Sequence, residues 1–469
     1  MLLRQIFEPK LAQNAYLIGC QRSGEALIID PLRDVDRYLE LAREEGLTIT
    51  AVAETHIHAD FLSGARELAE KAEVMLYLSA EGGDDWRYLW AEQGSYRTTF
   101  LHDGDDFRIG QIEIRAVHTP GHTPEHMSFL ITDHGGGASE PIGIATGDFV
   151  FVGDLGRPDL LESAAGEAGQ MDPSARTLYR SVSRFLELPD FVQVWPGHGA
   201  GSACGKALGA VPSSTVGYEK RFNAALDATN GGEDHFVDSI LSDQPEPPLY
   251  FAAMKRLNKE GPALLGSLPT PRPMGAAELA DALDRRDLVL VDTRLDRQAF
   301  MAAHVEGSLY APFDRSFQAI VGSYVPSGPS DPTHEIVLVI DEEQIDEAIR
   351  DLVRIGFDRV GAFITPETLQ QSPLAERLRS TPVSDFEGLR QAGGDGFVLD
   401  VRRAAEFGAG HLDGALNISH TRLLDRLEEV PRDRDLFVHC VTGARASAAT
   451  ALLEKNGYRA TLIDDVFGR

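Results

Sequence analysis

Thr55-His56-Ile57-His58-Ala59-Asp60 decides how the first half of this sequence reads. An apolar run at residues 48–53 leads into it, and residues 63–71 after it have helical spacing. Two imidazoles and a carboxylate therefore sit at a strand–helix junction, where side chains can converge on a metal ion. Three later segments repeat the setting: His118-Thr119-Pro120-Gly121-His122-Thr123-Pro124, Thr146-Gly147-Asp148 and Trp195-Pro196-Gly197-His198-Gly199. Each follows an apolar strand, so all four can meet at one edge of a sheet sandwich. A lone histidine would signal nothing; four such segments in this order predict a metal centre.

Working outward, residues 14–18 and 26–31 read as strands joined by a hairpin turn at 22–25. Residues 34–45 read as a helix, with Asp34 as N-cap and Gly46 as the stop. Further strands are expected at 73–78, 111–118, 127–132 and 142–146, and a helix at 172–187. Residues 1–262 thus form one α/β unit rich in strands. Residues 263–274 follow as a linker, because Pro269, Pro271 and Pro273 can neither continue a helix nor join a central strand.

An internal repeat comes next. Val289-Leu290-Val291-Asp292-Thr293-Arg294 returns as Val398-Leu399-Asp400-Val401-Arg402, and Phe300 with His304-Val305-Glu306-Gly307 returns as Phe407 with His411-Leu412-Asp413-Gly414. Two small α/β domains, 275–375 and 380–469, are expected, separated near Ser380-Thr381-Pro382. In the second copy, Leu436-Phe437-Val438-His439 is a strand ending in Cys440, and a loop through Arg445 opens a helix. Backbone N–H groups in such a loop favour an anion, here a nucleophilic thiolate, and Arg445 adds positive charge. The first copy ends its equivalent strand in Asp341-Glu342-Glu343-Gln344, with no cysteine and with negative charge where an anion would bind. It is read as inert, serving spacing, docking or oligomer contacts.

Composition narrows the partners. With 44 Lys and Arg against 73 Asp and Glu, the net charge is −29, which disfavours nucleic acid. No apolar run approaches the roughly 20 residues of a membrane span, and the first residues lack a signal-peptide core, so a cytoplasmic location is expected. Three scattered cysteines form no disulfide framework. Cys20 is a bystander near the hairpin turn. Cys204 lies six residues after His198 and is read either as a sulfur relay near the metal or as a buried thiol.

The first four segments resemble the metallo-β-lactamase superfamily, which implies an αββα sandwich. The superfamily's first motif ends in a further histidine, and here that place is Phe61. Within the superfamily, the sequence is similar to the persulfide dioxygenases, on the segments already quoted together with Arg4 to Pro9, Ser63-Gly64 and Gly156-Arg157-Pro158-Asp159. That resemblance implies one Fe(II), held by His56, His122 and Asp148, the two-His, one-carboxylate set of non-haem iron oxygenases, with open positions for the substrate sulfur and O2. His58, Asp60 and His198 are implied to orient ligands or bound water, with His58 a candidate fourth ligand. Arg157 is a candidate wall of the substrate pocket. Lys220 and Arg221, basic residues in an acidic protein, are candidates to receive the carboxylates of glutathione or the phosphates of coenzyme A.

The Cys440 loop, Asp400-Val401-Arg402 and residues 410–415 resemble rhodanese motifs. A phosphatase of related fold is the runner-up, but needs a longer loop. The whole chain then reads as an α/β multi-domain protein: a metallo-β-lactamase sandwich followed by two rhodanese-like domains with central parallel sheets. Expected substrates are a small thiol persulfide, O2, and sulfite or thiosulfate, and the expected assembly is a homo-oligomer, dimer or tetramer. Two alternatives stand: a zinc thioester hydrolase of glyoxalase II type, which Phe61 disfavours, and a non-enzymatic sulfur carrier using Cys440 alone.

Overall fold

The apolar runs that flank the histidine segments become two six-stranded sheets. The computed structural model describes residues 1–163, 169–285, 287–326, 328–391 and 396–468. The first sheet runs Leu2–Glu8, Gln13–Cys20, Glu25–Ile29, Thr48–Ala53, Met75–Ser79, Thr98–Leu101; its first three strands pair antiparallel and the rest parallel. The second runs Ser214–Thr215, Gln193–Pro196, Gly143–Gly147, Met127–Asp133, Ile112–His118, Asp106–Ile109. Strand side chains alternate between faces. Ile18, Leu27, Ile29 and Ala53 therefore meet Ile112, Ile114, Phe129 and Trp195 in one core between the sheets. Ile144 and Val194 face the other way, onto Val182, Phe185 and Phe236 of helices Met171–Leu186 and Glu233–Leu241. Helices Asp36–Glu44 and Ala65–Ala72 pack on Thr48–Ala53, which completes an αββα sandwich. Each fully buried large aliphatic side chain contributes about 1.5–3 kcal/mol.

Local expectations fare unevenly. The helix expected at 34–45 is Asp36–Glu44, and Val35, not Asp34, occupies its N-cap without a side-chain bond. Asp34 turns instead to Arg37, 3.8 Å away. The helix expected at 172–187 is Met171–Leu186, with Pro173 in the first turn, where its missing N–H costs nothing. Leu2–Glu8, Thr98–Leu101 and Asp106–Ile109 are strands that periodicity did not announce.

The chain divides into two compact units, residues 1–247 with 251–266 and residues 248–250 with 267–469. The tract 263–274 is not a free linker. The N–H groups of Leu265 and Gly266 donate to the Glu67 carboxylate, at 3.0 and 2.8 Å, inside the first unit. Arg272–Pro273 pairs with Val360–Ile364 at a sheet edge, a position proline tolerates.

The second unit holds two parallel five-stranded sheets with one strand order. The first runs Arg272–Pro273, Val360–Ile364, Glu335–Val339, Leu288–Asp292, Leu309–Tyr310. The second runs Val383–Ser384, Ala460–Ile463, Leu436–His439, Phe397–Asp400, Leu416–Asn417. The expected domains 275–375 and 380–469 are thus two halves of one compact unit. Among the described residues, no helix is long and apolar enough to cross a membrane.

Candidate metal centre and thiol loop

His56, His122 and Asp148 converge where their strands end. Their ligand atoms all lie within 4.8 Å of one another, and all three residues are buried. Asp148 Oδ2 is 3.5 Å from His122 Nε2 and 4.0 Å from His56 Nε2. Neither Asp148 oxygen has a hydrogen-bond partner. A buried carboxylate without one is costly, and a cation among these three groups would remove that cost. The residues fit a metal.

The surroundings set each ligand. His122 Nδ1 faces the Arg157 carbonyl at 2.9 Å, which places its proton there and leaves Nε2 free to coordinate. His56 Nδ1 lies 3.0 Å from Thr55 Oγ1, which itself donates to Asp30 at 2.8 Å. The Asp148 N–H donates to His126 Nε2 at 3.1 Å. Burial, then neighbouring histidines, pulls His56 well below the usual imidazole range, and burial lowers His122 as well. Both are neutral at physiological pH, the form a metal needs. Gly147 has φ +48°, and a side chain there would strike Thr55. Only glycine lets the backbone turn Asp148 inward.

The remaining residues of the first motif part company. His58 gathers instead with Asp30 and Glu54 in a buried cluster of its own. Its Nε2 lies 3.2 Å from Asp30 and 3.7 Å from Glu54. Burial alone would lower it, but Asp30 and then Glu54 prevail, and its pKa is raised to about 9. Phe61 is buried and stacks on the His58 ring, centroids 4.3 Å apart. His198 Nε2 sits 3.2 Å from Asp60 and 3.6 Å from Asp148. Cys204 joins Asp60 and His198 in a second buried cluster with donor atoms within 4.8 Å. Burial first, then the Asp60 and Asp148 charges, holds its thiol well above the ordinary range.

Arg157, expected at the substrate, is spent elsewhere. It is buried, donates two hydrogen bonds to Asp159 at 2.8 and 2.6 Å, and a third to the Ala203 carbonyl at 3.0 Å. It braces the loop whose carbonyl orients His122. Lys220 donates to Asp190 and to the Leu188 carbonyl, both at 2.8 Å, as a surface pair, and Arg221 is exposed beside it. Neither lines the cleft that opens on His122. That cleft is walled by Ile57, Trp86, Leu160, Leu161 and Phe251, with Lys255 beside them. Lys255 Nζ lies 3.9 Å over the Trp86 ring. Sequence reading missed Lys255, Trp86, Asp30 and His126, which only the fold assembles.

In the second unit Cys440 is buried at the end of Leu436–His439, ahead of helix Ala444–Lys455. Gly443 caps that helix at φ +85°, which a side chain would resist. Arg445 forms a two-pronged pair with Glu406, at 2.6 and 2.8 Å. These bonds lead in holding the Glu406 carboxyl at about 2. Glu406 and then Cys440 raise Arg445 against the effect of its burial. Its charge is therefore shared rather than reserved for sulfur.

Residues 9–198 match the Metallo-beta-lactamase superfamily, and residues 383–465 match the Rhodanese-like domain. The mitochondrial persulfide dioxygenase ETHE1 of Bos taurus is 30% identical over 203 residues, 42% of this chain and 68% of that protein. The Homo sapiens ETHE1 matches with the same identity and coverage. The crystal structure of a metallo-beta-lactamase from Staphylococcus aureus is similar at 41% identity and TM-score 0.68, covering 78% of this chain and 99% of that one.

Proposed function

This chain belongs to the metallo-beta-lactamase superfamily, and we propose that it is a persulfide dioxygenase joined to a sulfurtransferase. The observation that carries the first half is the unpartnered Asp148 carboxylate facing two neutral histidines. Bound there, one Fe(II) supplies the redox chemistry between a persulfide sulfur and O2. His56 and His122 hold it through Nε2 and Asp148 through its carboxylate. Phe61, where a further ligand would stand, supports a single metal. The apolar cleft beside His122 receives the organic part of the persulfide, and Lys255 receives its carboxylate or phosphate. In sum, RSSH, O2 and water give RSH, sulfite and two protons.

Cys440 carries the second half. As a persulfide it passes its outer sulfur to sulfite, giving thiosulfate and the free thiolate, or runs the reverse. The first repeat is an inert copy of the same module. Joining both sites in one chain keeps sulfite near the Cys440 persulfide that donates sulfur to it. A cytoplasmic setting would keep all three thiols reduced.

The test is oxygen uptake with glutathione persulfide. His122→Ala should lose iron and uptake together, while sulfur transfer at Cys440 persists. A second reading, a zinc thioester hydrolase, draws on the Asp60, His198 and Cys204 cluster as a second metal site. Stoichiometric zinc and no oxygen uptake in the purified protein would select it.

A further inference from the structure

The first repeat touches the Cys440 loop directly. Arg297, at the start of helix Arg297–Ala302, donates from Nη2 to the Thr442 carbonyl at 3.0 Å and from Nε to Asp464 at 2.9 Å. Asp464 lies against Gly443, where an added Cβ would come within 2.3 Å of its carboxylate oxygen. The far end of helix Ala444–Lys455 is held by the same repeat: Lys455 donates to the Gly307 carbonyl at 2.8 Å, and His304 lies 3.5 Å from Glu454. The position equivalent to Arg297 in the second repeat is Ala404, so this contact is not part of the shared scaffold.

We propose that Arg297 is a positioning residue for the Cys440 loop, and that the first repeat is the outer half of that site rather than a spacer. This rests on the sulfurtransferase reading above. The peptide group is planar, with its C=O and N–H pointing opposite ways. Fixing the Thr442 carbonyl on Arg297 turns the Gly443 N–H to the other side, into the loop, where it can face a sulfur anion. A loop this short has few such donors, and a misplacement of 1 Å can cost about 100-fold in rate. Tyr324, from helix Phe317–Tyr324 of the first repeat, adds a second contribution: it is fully buried and its hydroxyl has no hydrogen-bond partner. Burial and then the Cys440 charge push that hydroxyl's pKa up, so it stays protonated.

The experiment uses the full chain, with thiosulfate as donor and cyanide as acceptor, alongside hydrogen exchange of the 441–445 backbone. Arg297→Ala should lower kcat about tenfold with KM for thiosulfate little changed, and should speed exchange in that loop. Arg297→Lys should recover a good part of both, and oxygen uptake should stay unchanged. Arg377→Ala, which removes an exposed ion pair to Asp284 in the same repeat, is the control and should alter neither. Unchanged exchange and kcat in Arg297→Ala would overturn the proposal, as would an equal loss in Arg377→Ala. A wild-type chain that transfers no sulfur would sink the sulfurtransferase reading instead, and the exchange measurement would still decide whether Arg297 holds the loop.

Discussion

The two repeats of the second unit share a strand order and a brace, yet end one strand in opposite chemistry. In each, a buried aspartate at a strand end grips the arginine two residues on: Asp292 with Arg294 at 2.8 Å, Asp400 with Arg402 at 2.6 Å. Each arginine then reaches a backbone carbonyl, Ala303 or Gly410, at 2.8 Å. Each has a histidine stacked on a phenylalanine, His304 on Phe300 and His411 on Phe407. The copies diverge past the strands Glu335–Val339 and Leu436–His439. One leads to Cys440 and a loop of backbone amides; the other leads to exposed Asp341, Glu342 and Glu343. The scaffold recurs where the cysteine does not because it is needed to fold, and the difference is confined to a few loop residues.

The comparison breaks most visibly at the loop. Cys440→Ser should cut sulfur transfer by about 100-fold or more while leaving oxygen uptake intact. Ile340→Cys, at the place the strand register gives Cys440, should restore nothing, because the carboxylates of Asp341, Glu342 and Glu343 that follow oppose a thiolate; any transfer from Cys440→Ser/Ile340→Cys would show that the scaffold alone suffices. The braces come next. Asp400→Ala leaves Arg402 buried and unpaired and should cost about 3–5 kcal/mol, read from denaturant midpoints. Asp292→Ala should cost less, since the Arg294 side chain is 15% exposed against 4% for Arg402. Equal costs would mean that burial does not set the difference.

The smallest effect concerns Glu406, whose counterpart in the first repeat is Ala299. Its folded pKa, about 2, lies below the unfolded value, so its pairing with Arg445 stabilises above the unfolded value and fades as pH falls through about 2. Glu406→Gln should cost less than about 1 kcal/mol at pH 7, since the Glu406 side chain is 33% and the Arg445 side chain 24% exposed, and nothing further near pH 2. Unfolding midpoints at the two pH values check it.

Much of this was legible before any fold was known. His56, His122 and Asp148 announce themselves because each follows an apolar strand, and strand ends are where a sandwich gathers side chains. The repeat was legible because buried strands and the Asp–x–Arg brace leave a fixed pattern. The supporting groups were not. Asp30 stands far from the histidines in sequence, and Glu54 and Glu125, though close to them, carry no local mark of their partners; the Glu125 carboxylate accepts the Ile57 N–H at 2.7 Å only because the chain folds back. Arg157 misled because sequence cannot distinguish a guanidinium open to substrate from one neutralised two residues on. Leu2–Glu8 escaped because Arg4 and Gln5 interrupt it and its Phe7 is exposed while its Glu8 is buried, the reverse of the pattern that marks a strand.

The bare carboxylate of Asp148 has one more consequence. If an ion relieves a buried carboxylate that only imidazoles at 3.5 Å or more approach, binding that ion adds to the free energy of folding itself. The first unit should then unfold at a higher temperature when its metal is supplied and at a lower one under a chelator, by an amount set by RT ln(1 + [M]/Kd). Its melting temperature becomes a gauge of metal supply, and under metal starvation the protein would be lost through unfolding as well as through idleness.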